Sequence, residues 1–182
     1  PILVNDERGF YANRCVLNHL LEGHLMLDEG IPPALIENAA RMAGMPVGPL
    51  ALSDEIALDL IFKIMKATEA ALGENAIHPV QARLISTLVE KMGRYGRKNG
   101  QGFYVYPKDG PKHLWSGLAA LVNQHQNPDS IHIEELKDRL LFTQALEAAR
   151  SMEEGILKDA READIGAILG FGFAPYTGGP LS

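Results

Sequence analysis

Apolar residues recur at helical spacing along most of the chain, and this pattern predicts an almost entirely helical fold. The predicted helices cover residues 10–29, 33–43, 53–72, 79–92, 133–157 and 162–169. Gly30 ends the first of them, and Ser53 is a predicted N-cap at the start of the third. Residues 46–50 (PVGPL) are predicted to form a turn that is not helical.

Residues 93–107 (GRYGRKNGQGFYVYP) interrupt the helical pattern. Their glycines and basic residues suggest a phosphate-binding loop, and residues 103–106 read as a short strand. A dinucleotide-binding loop must follow a strand and open a helix, whereas this loop precedes the strand. A structural turn is therefore the favoured interpretation. Residues 108–131 are predicted to be a polar connector with one short helix at 114–125, which carries the only tryptophan, Trp115.

The chain contains an internal repeat. An offset of 125 residues superposes residues 14–31 on 139–156 without gaps, so that Arg14 meets Arg139 and Glu22 meets Glu147. We expect each copy to have too much apolar surface to stand alone, and the two to pack about a pseudo-two-fold axis. The predicted fold class is all-α, with two related helical units packed together and one short β-like segment near 103–106. The predicted domains are 1–107, a connector at 108–132, and a shorter, degenerate second copy at 133–182.

Asn13 is the main candidate for a functional residue. Helical spacing counted from Phe10 places it on an apolar face with Leu17 and Leu20. An unpaired buried amide costs roughly 1–3 kcal/mol, so Asn13 should have a partner in the backbone, in another domain or in a ligand. The second copy has Asp138 at the equivalent position. This difference favours a function for Asn13 over a purely structural role.

Composition narrows the function classes. The net charge of −6 argues against a nucleic-acid-binding surface, and no apolar run approaches the roughly 20 residues that cross a bilayer. The single cysteine, Cys15, excludes an intrachain disulfide, and with few possible co-ligands it is predicted to be a buried thiol rather than a metal ligand. Because the sequence begins at Pro1 rather than methionine, we expect it to be a piece of a longer protein.

Three motifs resemble a known family in order and spacing: residues 9–14 (GFYANR), 48–54 (GPLALSD) and 96–104 (GRKNGQGFY). They are similar to the C-terminal helical domain of 3-hydroxyacyl-CoA dehydrogenases. The second copy, which ends in residues 172–179 (GFAPYTGG), resembles the degenerate second helical domain of the multifunctional fatty-acid-oxidation enzymes. In those enzymes an enoyl-CoA hydratase/isomerase precedes the dehydrogenase.

The resemblance implies NAD-dependent oxidation of 3-hydroxyacyl-CoA to 3-ketoacyl-CoA. In that family a His–Glu pair on the Rossmann domain takes the hydroxyl proton, while a serine and an asparagine orient the reacting oxygen. Only the asparagine has a counterpart here, at Asn13. No Gly-x-Gly-x-x-Gly motif follows a strand, and none of the six histidines lies in the catalytic context. We therefore expect NAD to be bound by an upstream domain, and this chain to be inactive alone. We also expect the Asn13 amide to face water in this chain, because its partner would be a substrate oxygen held against that upstream domain.

The resemblance also implies partners and a location. The expected partners are the 3-hydroxyacyl-CoA substrate and the upstream Rossmann domain of the same protein, and a thiolase subunit is a further candidate. No nucleic-acid partner or metal ion is expected. The expected location is the cytoplasm in a bacterium, with peroxisomes and mitochondria left open. The alternative interpretation of the same helices is a non-catalytic module for dimerisation or interaction.

Overall fold

The computed structural model describes residues 1–122 and 126–182, and nearly all of their regular structure is helical. The α-helices are α1 (Ala12–Asp28), α2 (Pro33–Met42), α3 (Pro49–Ile56), α4 (Leu58–Leu72), α5 (Pro79–Ser86), α6 (Ile133–Glu153) and α7 (Ala160–Phe171). A π-helical segment at Thr87–Lys91 continues α5. The predicted all-α fold class is thus confirmed. None of the described helices is both long and apolar enough to cross a membrane.

A short antiparallel ladder is the β component of the described residues. Strand β1 (Tyr104–Val105) pairs with β2 (His113–Leu114). β1 confirms the strand predicted near residues 103–106, whereas β2 lies in the connector and has no sequence signal. The connector helix predicted at 114–125 is present in part, as a 3₁₀ segment at Ser116–Leu121. His125, at the end of that prediction, lies outside the described residues.

The chain forms two compact units. The first comprises Pro1–Glu22, Asn38–Gly48 and His132–Ser182, and the second comprises Gly23–Glu37 and Pro49–Ile131. The domains predicted from the sequence are copies of a repeat rather than compact units. Their boundaries therefore stay a prediction.

The core of the first unit forms where the start of α1 meets α6 and α7. Tyr11 and Cys15, one helical turn apart, are buried there. Small side chains on the facing helices leave room for the tyrosine ring: Ala148, Ala163 and Ala167. Burial of such a cluster stabilises the fold by roughly 25 cal/mol for each Å² of apolar surface removed from water.

In the second unit, the glycine-rich segment docks onto the buried carboxylate of Asp54 in α3. The N–H groups of Phe103 and Tyr104 each donate to this carboxylate at 2.8 Å, and the Tyr106 hydroxyl donates at 3.1 Å. Only glycine fits at position 102, because a Cβ atom there would lie 1.9 Å from Asp54 Oδ1. Burial raises the pKa of Asp54 to about 6, although these hydrogen bonds oppose the shift. The segment is therefore held as a structural turn.

The turn predicted at residues 46–50 is shorter than expected. α3 begins at Pro49, inside that segment, because proline is well suited to the first helical position. The Glu37 carboxylate accepts hydrogen bonds from the N–H groups of Leu50 and Ala51, at 2.8 and 3.3 Å. Those N–H groups have no partner within their own helix, so Glu37 does the work of a cap.

The predicted helix at residues 53–72 is also wrong in its start and its continuity. Ser53 lies inside α3, where its hydroxyl donates to the Pro49 carbonyl at 2.8 Å instead of capping a helix. The helical path then breaks at Ala57, which has a φ of +86°. At the break, the Leu58 N–H donates to the Tyr95 carbonyl at 3.0 Å. A tertiary hydrogen bond thus accompanies the start of α4.

Candidate functional site

The chain reaches α1 through a turn at Gly9 and Phe10, which have φ angles of +80° and +50°. Glycine adopts this left-handed conformation freely, whereas for phenylalanine it costs roughly 1–2 kcal/mol. The Phe10 N–H donates to the Glu7 carbonyl at 2.9 Å and so closes the turn. α1 then begins at Ala12. This Gly9–Phe10 turn places the first residues of α1.

The buried side of α1 differs from the one predicted. Phe10 is not helical, so helical spacing cannot be counted from it, and its side chain is 49% exposed. Asn13 is exposed as well, as the resemblance leads us to expect, so helical spacing alone assigned it wrongly to a buried apolar face. Between residues 11 and 22, the buried side chains are Tyr11, Cys15, His19 and Leu20.

Asn13 is the second residue of α1 and presents its amide at the surface. Among the described residues, the Asn13 side chain has no hydrogen-bond partner. A side-chain amide offers two donors and an acceptor and does not ionise. It can therefore hydrogen-bond an oxygen both as a hydroxyl and as a carbonyl, but it cannot act as a base.

Arg14, the next residue, is held by two carboxylates of the second copy. Its Nη1 and Nη2 atoms donate to the Glu154 carboxylate at 2.5 and 3.2 Å. Its Nε atom donates to the Glu147 carboxylate. Glu147 lies in α6 and is also 3.4 Å from Arg150. The hydrogen bonds to Glu154 and then Glu147 raise the pKa of Arg14, against the effect of its partial burial. The guanidinium is thus fixed in one orientation.

The same ion pair occurs a second time with the copies exchanged. Arg139 Nε donates to Glu22 at 2.6 Å. The 125-residue offset relates Arg139 to Arg14 and Glu22 to Glu147. Reciprocal pairing of this kind is the property of an interface with two-fold symmetry. Within the first unit, α6 and the start of α1 therefore pack as equivalent partners, as the repeat predicts.

His19 marks the position of the pseudo-two-fold axis. Its repeat equivalent is Gln144, and the two meet each other, with Gln144 Nε2 3.4 Å from His19 Nδ1. A residue can contact its own equivalent only close to such an axis. Desolvation lowers the pKa of His19 to about 4, so the imidazole is neutral at neutral pH. His19 is a core histidine.

Tyr11 and Cys15 anchor the start of α1 and are unsuited to chemistry. The Tyr11 hydroxyl donates to the Ala163 carbonyl at 3.2 Å, and its ring meets Phe171 edge to face. Burial, followed by the charges of Cys15 and Asp164, raises the pKa of Tyr11. Burial also raises the pKa of Cys15 to about 12, so its thiol stays protonated and unreactive.

An open apolar groove of about 460 Å³ lies beside the Gly9–Phe10 turn. Its walls come from the N-terminal segment, the turn and α7: Ile2, Val4, Phe10, Ile165, Gly166 and Leu169. Leu169 is 81% exposed and Ile165 is 56% exposed. An apolar surface of this kind next to an accessible amide suits contact with a partner surface or an apolar ligand.

The glycine-rich segment does not fit a dinucleotide. Besides Gly102, Gly96 also lies against Asp54, because a Cβ atom at position 96 would be 2.5 Å from the Asp54 carbonyl oxygen. The segment precedes β1, and Asp54 of α3 occupies the space inside the loop. The loop therefore has no room to bind a pyrophosphate. No group of three or more metal-binding side chains occurs among residues 1–122 and 126–182.

The fold defines a class: an all-α domain with one short β ladder among the described residues, in which the Asn13 amide is exposed at the start of α1. The family described as 3-hydroxyacyl-CoA dehydrogenase, C-terminal domain, matches residues 9–106, which is more than half of the chain. The chain belongs to this family, whose members are NAD-dependent oxidoreductases. The matched region begins at the Gly9–Phe10 turn and contains Asn13 and Asp54.

Two solved structures are similar over nearly the whole chain. The dehydrogenase part of multifunctional enzyme 1 from C. elegans matches 94% of this chain at 27% identity, with a TM-score of 0.71. The 3-hydroxybutyryl-CoA dehydrogenase from Escherichia coli K12 matches 100% at 22% identity, with a TM-score of 0.69, and so supports the fold. The chain spans 39% and 53% of the lengths of these two proteins.

Of the residues around the start of α1, the sequence singled out Asn13 and missed Tyr11 and Arg14, and in α6 it missed Glu147. A signal for the last two was available. The repeat alignment already paired Arg14 with Arg139 and Glu22 with Glu147. In a two-fold arrangement an arginine of one copy can reach a glutamate of the other in both directions, and this rule would have predicted both ion pairs.

Proposed function

We propose that this chain is the C-terminal part of an NAD-dependent 3-hydroxyacyl-CoA dehydrogenase of fatty-acid β-oxidation. In this proposal, Asn13 binds and orients the reacting oxygen of the substrate. The observation that carries it is the exposed amide of Asn13, which stands in the GFYANR segment at the start of the family match. The side chain is presented to the exterior by a helix whose opposite side is buried.

The chemistry of an amide suits this task. The reacting oxygen is a hydroxyl in the alcohol and a carbonyl in the ketone, and it carries developing charge between the two. An amide N–H aimed at it stabilises that charge, and removing one such donor typically costs 10²–10³-fold in kcat. The residues described here do not fit NAD, so the cofactor and the His–Glu base are assigned to a Rossmann domain of the same protein.

The apolar surface around the Gly9–Phe10 turn has a second part in the proposal. The exposed side chains of Phe10, Ile165 and Leu169 form one wall of the acyl-CoA cleft and the surface against which the Rossmann domain packs. Burying such side chains is favourable by roughly 1.5–3 kcal/mol each. A thiolase subunit as partner and a cytoplasmic location stay predictions.

The test is Asn13→Ala in the polypeptide that joins this chain to its nucleotide-binding domain. We expect kcat for 3-hydroxyacyl-CoA oxidation to fall about 100-fold or more, with the far-UV circular dichroism unchanged. Asp138→Ala is the matched control, because it removes a polar side chain at the equivalent exposed position of the second copy. An unchanged kcat in Asn13→Ala would return Asn13 to a structural role.

The chain alone offers a complementary experiment. Incubated with NADH and acetoacetyl-CoA, it should give only the background rate of NADH oxidation, because a cofactor site and a base are lacking among the described residues. Clear turnover would contradict the assignment of those groups to another domain. The alternative function, a non-catalytic interaction module, predicts instead that no substitution at Asn13 changes the kcat of the joined polypeptide.

A further inference from the structure

The ion pairs of Arg14 connect the site of Asn13 to the second copy of the repeat. Arg14 follows Asn13 directly in α1, and only 18% of the Arg14 side chain is exposed. Glu147, which is 7% exposed, and Glu154 bind the guanidinium from α6 and the residue that follows it. The residue next to Asn13 is therefore bound to carboxylates that lie about 140 positions further along the sequence.

Arg14 also supports the Gly9–Phe10 turn. A Cβ atom on Gly9 would lie 3.3 Å from Arg14 Cγ, so the aliphatic part of the arginine packs directly on the turn. The segment before the turn is tied to the same end of α6, since Asn5 N donates to the Ile156 carbonyl at 2.9 Å and Asn5 Nδ2 donates to the Gly155 carbonyl at 2.7 Å. The approach to α1 is thus fixed on both sides by the second copy.

We infer that Glu147 and Glu154 are positioning residues for Asn13. They hold Arg14, Arg14 holds the Gly9–Phe10 turn and the first turn of α1, and the amide of Asn13 is thereby kept in one place. The second copy has no asparagine of its own, and this arrangement gives it a task in the site. The inference rests on the proposed function of Asn13 for its catalytic consequence, but not for its structural part.

The experiment compares Glu154→Gln and Glu147→Gln/Glu154→Gln in the polypeptide that joins this chain to its nucleotide-binding domain. We expect kcat to fall about 3-fold in the single variant and about 10-fold in the double variant. KM for NAD should change less than 2-fold, because NAD binding is assigned to the Rossmann domain and not to the Gly9–Phe10 turn. Glu154 is half-exposed, so its variant keeps the fold even if the Glu147 variant does not.

A double-mutant cycle separates positioning from general support of the fold. In an Asn13→Ala background, Glu147→Gln/Glu154→Gln should lower kcat less than 2-fold further, because no amide is left to misplace. Glu22→Gln is the matched control, since it breaks the repeat-related ion pair with Arg139, beside Asp138 rather than beside Asn13. It should leave kcat within 2-fold of the wild type. An equal loss in the Asn13→Ala background, or in Glu22→Gln, would overturn the inference.

Hydrogen–deuterium exchange of this chain distinguishes failure of the inference from failure of the proposed function. In Glu154→Gln the amides of residues 9–15 should exchange at least 3-fold faster, and in Glu22→Gln they should exchange at the wild-type rate. Unchanged exchange would overturn the inference whatever the activity. Faster exchange in Glu154→Gln, together with a wild-type joined polypeptide that has no dehydrogenase activity, would support the positioning and contradict the proposed function instead.

Discussion

The start of α1 and the start of α6 are the same element in two copies, and they differ where a substrate could reach them. Their inner sides carry equivalent ion pairs, Arg14 with Glu147 and Arg139 with Glu22. Their outer ends do not match. α1 follows a left-handed turn and presents Asn13, whereas α6 runs straight from Ile133 and presents an aspartate.

This difference separates the part of the repeat that folding requires from the part that folding leaves free to differ. The inner side of each copy is specified by burial and by charge pairing, so both copies need it to form one unit. The outer end makes no such contribution, and a costly feature there needs another reason. The left-handed Phe10 is such a feature, since backbone strain of this kind concentrates at functional sites.

The largest expected effect is on the pH dependence of stability and concerns His19, which lies at the pseudo-two-fold axis. Because desolvation lowers the pKa of His19 to about 4 from an ordinary value of 6.5, the folded state binds a proton less well than the unfolded state. Stability should therefore fall as the pH drops from about 6.5 towards 4, by roughly 3 kcal/mol in total. His19→Gln, which copies the residue at the equivalent position, should remove this loss.

Urea unfolding at several pH values between 7.5 and 4.5 measures it. Asp54 opposes the trend over part of the range, because its raised pKa favours the protonated folded state as the pH falls below about 6. The informative quantity is consequently the difference between variant and wild type at each pH. If that difference stays constant with pH, the claim that His19 is buried in its neutral form is contradicted.

The next effect tests the Gly9–Phe10 turn. Gly9→Val should destabilise the chain by about 2 kcal/mol, because a β-branched residue is strained at a φ of +80° and its Cβ would crowd Arg14. Glu134→Ala, at the equivalent position of the second copy, should change the unfolding free energy by less than about 0.5 kcal/mol. Equal changes in the free energy of unfolding, measured in urea, would contradict the claim that only the start of α1 requires a left-handed turn.

The smallest effect compares the two reciprocal ion pairs. Glu147→Gln should destabilise the chain by roughly 2 kcal/mol and Glu22→Gln by roughly 1 kcal/mol, since both lose a hydrogen bond to a charged group. The Glu147 variant should cost more because its carboxylate is the more buried one, with 7% of the side chain exposed against 17%. A reversed order in thermal unfolding would contradict the assignment of burial.

Much of the fold follows from the sequence because the helices obey a simple period. The ends of α2 and α7 fall within a few residues of their predicted positions, at glycines and prolines that punctuate the pattern. The break at Ala57 does not follow from it. That residue has no local reason for a positive φ, and its neighbour Leu58 is bonded to the distant Tyr95. Tertiary contacts of this kind override local propensity.

The sequence singles out one candidate residue, Asn13, whose role stays a prediction, and it does not predict the geometry around that residue. Asn13 stands out from a motif and from its contrast with Asp138, both of which are visible in one dimension. Its exposure follows from the resemblance, but the buried side of α1 does not, because the left-handed Phe10 shifts the start of the helix. The ion pair of Glu147 with Arg14 follows from the repeat and a two-fold arrangement, whereas the contact of Arg14 with Glu154 needs the three-dimensional structure.

A reciprocal exchange tests the central claim, that the two copies share a fold and only the first carries the reacting amide. Asn13→Asp and Asp138→Asn can each be compared with wild type in the polypeptide that contains the nucleotide-binding domain. Asn13→Asp should lower kcat about 100-fold or more with an unchanged melting temperature, because it replaces two donors by a charge. Asp138→Asn should leave kcat unchanged. Equal activity in all three proteins would contradict the claim.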